Sequence, residues 1–164
     1  MSLEFFLDVK AIALKLGRSS DVDETPLLPE RVIPDKHYTV RRKLLELCRS
    51  EQFEESFATT EYYALQVRHG HAEASQKCLA YRSLLLSMES KGFDSSRGKP
   101  VVVLDYGFSV DRLDGTHRAS VARFLGMDAI LGKVVTTADV LRELSGDKAR
   151  ILLEALDEIH RRYY

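Results

Sequence analysis

Apolar residues return along the chain at spacings that separate helices from strands. Phe5, Phe6, Val9, Ile12, Ala13 and Leu16 recur at three and four positions, and Gly17 follows as a stop, so the pattern predicts a first helix. Residues 18–36 carry Pro26, Pro29 and Pro34 among acidic side chains. Proline fixes φ and removes an amide donor, which predicts a loop or linker. Val40, Leu44, Leu45 and Leu47 point to a second helix over Tyr38–Arg49. A short helix is expected over Glu61–Val67. A longer one is expected over Ala72–Lys91, with Cys78, Leu79, Leu84, Leu85 and Met88 turned inward and Gly92 ending it.

After Pro100 the period changes. Val101-Val102-Val103-Leu104 is a continuous apolar, β-branched run bounded by Asp105-Tyr106-Gly107, and predicts a buried strand and a turn. Phe108 to Leu113 alternates as a half-buried strand does. Asp114-Gly115 breaks it, and Thr116 is placed to cap a helix running to Phe124 or Leu125, with Gly126 beyond. Ala129–Val135 predicts a third strand. Thr137 can cap a short helix ending at Gly146, and Asp147 another whose stripe is Leu152, Leu156 and Ile159. The expected fold is α/β (α+β): a small mixed sheet wrapped by helices. Residues 1–60 form an N-terminal helical extension packed on the core, and residues 61–164 the main domain.

Composition narrows the function. With 164 residues, 45% hydrophobic and 30% charged, the chain has the make-up of one soluble globular domain. Lys and Arg number 24 against 25 Asp and Glu, so the net charge of −1 lacks the basic field of a dedicated nucleic-acid binder. Residues 61–135 alone are basic on balance, 10 against 8. No apolar run approaches the about 18 residues that span a membrane, and no secretory leader is visible, so a cytoplasmic setting is expected. Cys48 and Cys78 stand 30 positions apart in apolar stretches and read as buried free thiols. His69-Gly70-His71 puts two potential metal ligands on one side of an extended segment, but a polar inter-helix loop is the better reading. Arg41-Arg42-Lys43 lies close to Glu46 and reads as a solvated face of mixed charge.

The chemistry concentrates in Leu113-Asp114-Gly115-Thr116-His117-Arg118, where a strand hands over to a helix. The first amides of a helix lack intrahelical partners and sit at the positive end of its dipole, which suits phosphate. Gly115 permits close backbone approach, Thr116 offers a hydroxyl, and Arg118 brings a planar fork that can engage two phosphate oxygens. His117 can donate to a phosphoryl oxygen or relay a proton near neutral pH. Asp114 could hold Mg²⁺ or a substrate hydroxyl, or cap the helix. A capped helix with a solvated His and Arg is the bland alternative, and no P-loop motif is present. Arg97 and Lys99, ahead of the first strand, could add charge to such a site.

Asp114-Gly115-Thr116-His117-Arg118 resembles the central motif of the ParB/sulfiredoxin-like superfamily, and the order of elements around it is similar too. Ser87-Met88-Glu89-Ser90-Lys91-Gly92 stands for the box ending the preceding helix. Pro100–Leu104 and Phe108–Leu113 stand for the two strands. Gly115–Arg118, Ala119, Ala122, Leu125-Gly126 and Ile130–Val135 complete the series. The resemblance covers residues 79–135, and Thr60-Glu61-Tyr62-Tyr63 upstream is similar to helical leaders of members found with glycan-biosynthesis genes.

The resemblance implies a nucleoside triphosphate, ATP or CTP, held with Mg²⁺, its phosphates bound by Gly115, Thr116, His117 and Arg118. Sulfiredoxins reduce a sulfinic acid with a Cys between the Gly and the His. Thr116 stands there, so that activity is not expected. ParB proteins carry Gly-x-Arg-Arg, but His117 replaces the first Arg. Only 29 residues follow Val135, too few for their DNA-reading domain, so DNA is the less expected partner. Free serine kinases carry Asp-Gly-His-Thr-Arg, this motif with His and Thr exchanged. The implied enzyme is therefore a nucleotide-dependent phosphotransferase, or an NTP hydrolase, with a small hydroxylated acceptor. Asp114 and His117 would be catalytic, with Asp114 on the metal. Glu89 ranks ahead of Asp105 and Asp111 as the base, because it ends the helix expected beside the motif. The alternative is a non-catalytic ParB-like binding or regulatory module, with DNA association as one form of it. A nuclease lacks the required carboxylate cluster.

Overall fold

The computed structural model describes residues 3–94, 100–107 and 109–163. Helices and a four-stranded mixed sheet together make it an α+β protein. The chain divides into two compact units, neither contiguous in sequence. The first comprises Met1–Pro26, Gly98–Gly115 and Leu131–Tyr164; the second comprises Leu27–Arg97 and Thr116–Ile130.

The first unit carries the sheet. Its central strand, β2 (Val101–Asp105), is the apolar run that the pattern predicts, and Val101 to Leu104 are all buried. Continuous burial fits a strand covered on both faces. β2 pairs antiparallel with β3 (Val110–Asp114) and parallel with β4 (Ile130–Thr136), and β1 (Glu24–Leu27) lies beyond β4. The β2–β3 register shifts between Val102 and Val103, whose partners are Asp114 and Arg112, so Leu113 is an extra, bulged residue.

The first helix, α1 (Leu3–Gly17), buries Val9 and Ala13 in a core with Val102, Leu104 and Val135. Gly17 closes that helix where a Cβ would come within 2.3 Å of Val102 Cγ1, so glycine allows helix and strand to approach. Val140 and Leu144, at α8 (Thr137–Glu143) and its C-cap, and Leu152 of α9 (Asp147–Tyr163) complete this core. The cap of α8 is Thr136 rather than the expected Thr137: its hydroxyl accepts from Asp139 N–H, while the Asp139 carboxylate accepts from Thr136 N–H, a capping box.

The second unit is helical: α2 (Pro29–Val32), α3 (Asp35–Leu47), α4 (Phe53–Ser56), α5 (Glu61–Gln66), α6 (His71–Lys91) and α7 (Thr116–Phe124), with short 3₁₀ turns after α4 and α5. Residues Ala74, Cys78, Tyr81, Leu85 and Met88 are buried along α6 at alternating steps of four and three. Leu79, expected inward, falls off that stripe and is exposed, and Leu84 is only half-buried. Tyr81 takes the inward place instead. The expected loop over 18–36 contains β1 and α2; Pro29 opens α2 at its first turn, where the missing donor is not required. Among the described residues, no helix is long and apolar enough to cross a membrane.

Candidate functional site

Asp114 and Gly115 close the first unit's segment, and the first unit's own residues occupy them. Arg18, just past α1, donates to Asp114 Oδ2 at 2.9 Å, and Gly115 N–H donates to Asp114 Oδ1 at 2.7 Å. Both carboxylate oxygens are therefore engaged. Gly115 has φ +88, and a Cβ there would lie 2.7 Å from Val101 Cγ2 and 2.9 Å from Val101 Cα. The glycine is required by backbone conformation and by the packed strand beside it. The expectation that Gly115 serves phosphate approach has a plainer basis here, since its amide and its vacant Cβ position are both used within the unit.

Thr116 opens α7 in the second unit as a helical residue, so it stands one place inside the helix rather than at its cap. Its carbonyl accepts the Ser120 hydroxyl at 2.8 Å. The His117 ring lies against Tyr81 with centroids 4.3 Å apart. Tyr81 in turn meets Tyr62 edge-on at 5.1 Å, and its hydroxyl accepts from Arg41 Nε at 2.9 Å. Arg41 also lies over the Tyr62 ring. A line of side chains from α3, α5 and α6 thus fixes the imidazole at the start of α7. Arg118, with a buried terminal nitrogen, lines a cavity of about 40 Å³ with Leu84, Ser87, Met88, Gly92, Phe93 and Asp94. That is room for about one water.

The other candidate carboxylates have partners as well. Glu89 is an exposed residue of α6 ion-paired with Arg49 at 2.6 Å, and is absent from the lining of the Arg118 cavity. Asp105 accepts Gly107 N–H at 2.7 Å, and Asp111 pairs with Lys10 at 2.6 Å. His69 and His71 turn to different neighbours: His69 Nε2 accepts from Arg68 Nε, while His71 Nδ1 meets the Tyr63 hydroxyl at 3.0 Å. Among the described residues, no group of three or more His, Cys, Asp or Glu could hold a metal ion. Arg97, Lys99 and Phe108 lie outside the described residues.

The donor set at α7 suits phosphate, for it comprises helix-start amides, a hydroxyl, an imidazole and a guanidinium. Each Asp114 oxygen already accepts one hydrogen bond, so a magnesium ion there would share the carboxylate with the Arg18 cation. Sequence reasoning missed Tyr81 and Arg41. Tyr81 was findable from the 74, 78, 81, 85, 88 spacing; Arg41 sits in a basic cluster that gives no such sign. Compared with known proteins, the chain matches no family model, no curated protein and no solved structure.

Proposed function

We propose that this chain is a nucleotide-binding module of the ParB/sulfiredoxin-like kind, taking the nucleotide's phosphates at the first turn of α7. The reading is carried by one observation. Thr116, His117 and Arg118 stand together in the opening turn of a nine-residue helix, with the His117 ring held on Tyr81 and Arg118 set in a small cavity. Backbone amides there meet phosphate at the positive end of the helix dipole, and Arg118 supplies a full charge. ATP or CTP is the expected ligand class.

Turnover is the second question. A kinase of this class would need a carboxylate to take the acceptor's proton. Glu89, Asp105, Asp111 and Asp114 are each engaged with a cation or an amide, which favours binding over phosphoryl transfer. An exposed pair such as Glu89–Arg49 is worth only about 0–1 kcal/mol, so a substrate could recruit that carboxylate.

The test is a thermal-shift screen with ATP, CTP, GTP and ADP, each with and without Mg²⁺, on the parent and on Arg118→Ala. A ligand at a hundredfold excess over its Kd stabilises the native state by about 2.7 kcal/mol, equivalent to roughly 5–10 °C in a chain of this size. A nucleotide-specific shift that Arg118→Ala removes is expected. No shift with any nucleotide would end the proposal. Phosphate release from a bound triphosphate would restore the phosphotransferase or hydrolase reading. Salt-sensitive retention on DNA would favour the DNA-associated module instead.

A further inference from the structure

The first unit contains a second concave site, independent of α7. A cavity of about 270 Å³ lies among Phe6 of α1, Val110 of β3, and Leu152, Leu156 and Ile159 of α9. These residues come from three regular elements, so the walls are fixed by packing rather than by loops. The α9 residues are the stripe at steps of four and three that the sequence marks as apolar. Leu152 belongs to the unit's buried core, and Leu156 packs against it. For scale, an apolar cavity of about 150 Å³ accepts benzene. The space here is enough for one ring and a short tail.

The lining also carries polar side chains. Tyr106, Ser109 and Asp111 contribute to it, and the Tyr106 hydroxyl oxygen is buried. Lys10 holds its ammonium 2.6 Å from Asp111 Oδ2 and 4.6 Å from the centre of the Phe6 ring. The polar lining and the Lys10 that neutralises Asp111 therefore offer donors and an acceptor with no net charge. Burial, reinforced by the Asp111 carboxylate, pushes the Tyr106 hydroxyl above its ordinary range, so it stays a neutral donor at physiological pH. A carboxylate ligand would face Asp111, and an ammonium would face Lys10. Either would also lose hydration on entering an apolar cleft. A hydroxyl can both donate to Asp111 and accept from Lys10 or Tyr106.

We propose that this cavity binds a small neutral amphiphile, an alcohol or phenol with one ring or a short branched chain as its body. The apolar body fills the space between Phe6 and the α9 stripe, and the hydroxyl sits at the Lys10–Asp111 pair.

The test uses the full chain and methyl-region NMR titrations with three probes that share a body and differ in head group: 2-phenylethanol, phenethylamine and 3-phenylpropionate. The expected result is that 2-phenylethanol moves the methyl resonances of Val110, Leu152, Leu156 and Ile159 and leaves those of exposed Leu7 and Leu153 in place. The two charged probes should bind about tenfold more weakly. Asp111→Asn leaves the Lys10 charge uncompensated, so 3-phenylpropionate should gain about tenfold over its affinity for the parent. Shifts spread over the exposed leucines, no shift at the cavity methyls, or equal binding of all three probes by the parent would each overturn the proposal. The parent titrations decide the matter even if the variant folds poorly. Because no residue of α7 takes part, loss of nucleotide binding in Arg118→Ala leaves this result standing.

Discussion

Replacing Gly115 with alanine tests whether the turn before α7 is fixed by packing or only by backbone conformation. The residue has φ +88. An L side chain in that region costs about 1–2 kcal/mol. The added Cβ would also lie 2.7 Å from Val101 Cγ2 and 2.9 Å from Val101 Cα. Carbon atoms ordinarily approach no closer than about 3.5–4.0 Å, so the strand or the turn must move by close to 1 Å, an overpacking cost of about 1–3 kcal/mol. The clash with the Val101 main chain cannot be relieved by a rotamer change. The sum is about 2–5 kcal/mol. Gly107 supplies the control within the same unit: its φ is +89, and a Cβ there meets nothing within 4 Å. Gly107→Ala should cost the conformational part alone, about 1–2 kcal/mol, less any gain from restricting the unfolded chain. Urea unfolding followed by circular dichroism gives both values from the midpoint and slope. Gly115→Ala should be the more damaging variant by at least 1 kcal/mol. If the two differ by less than about 0.5 kcal/mol, the close approach to Val101 carries no weight and the packing argument fails.

Other expected outcomes follow from capping, burial and hydrogen bonding. Bonds from Thr136 hold the Asp139 carboxyl below its ordinary value of 3.8. A depressed pKa adds stability above the unfolded value that is lost as pH falls through the folded one. Asp139→Asn should therefore be less stable than the parent at neutral pH, and the gap should close below pH 3.8 in unfolding measured against pH. Thr136→Ala, which removes the reciprocal cap, should cost about 1 kcal/mol. Burial pushes the thiols of Cys48 and Cys78 up to about 12 and about 11. Both should resist a disulfide reagent at pH 8 in the native protein and react fully in denaturant; rapid native labelling would contradict their burial. Tyr81→Phe leaves Arg41 Nε without its acceptor and should cost about 1 kcal/mol, with the His117 ring resonances moving in NMR spectra as its neighbour changes. Unchanged His117 resonances would show that Tyr81 does not position the ring.

The elements with strong periodicity were legible in the sequence. The run Val101–Leu104 reads as a buried strand, and these four residues of β2 are all buried. The spacing over 72–91 gave α6, although the inward face was misjudged at Leu79. A leucine on a long helix carries no mark of which side it takes until the whole stripe is laid out, and Tyr81, fully buried, stood outside the expected inward set. The strand β1 could not be read from Glu24-Thr25-Pro26-Leu27, because four residues with a proline hold no alternation and pair only through the sheet edge. The one-turn helix α4 is likewise too short for its period to register. The division into two discontinuous units was beyond sequence reasoning, since it depends on contacts between segments far apart in the chain.

The same gap between local pattern and long-range packing explains the candidate site. Five consecutive residues, Asp114 to Arg118, read as a single phosphate motif, yet the chain passes from one unit to the other after the second of them. Asp114 is spoken for by Arg18, which is 96 positions away, and Gly115 by Val101. Neither partner could be inferred from the motif. His117 and Arg118 instead take their surroundings from α6 and the segment after it, with Tyr81 against the imidazole and Gly92 and Phe93 lining the cavity that Arg118 shares. A motif residue's chemistry is set by what its side chain already holds. By that criterion the first two residues serve the fold, and the last three are the ones on which a phosphate ligand would depend.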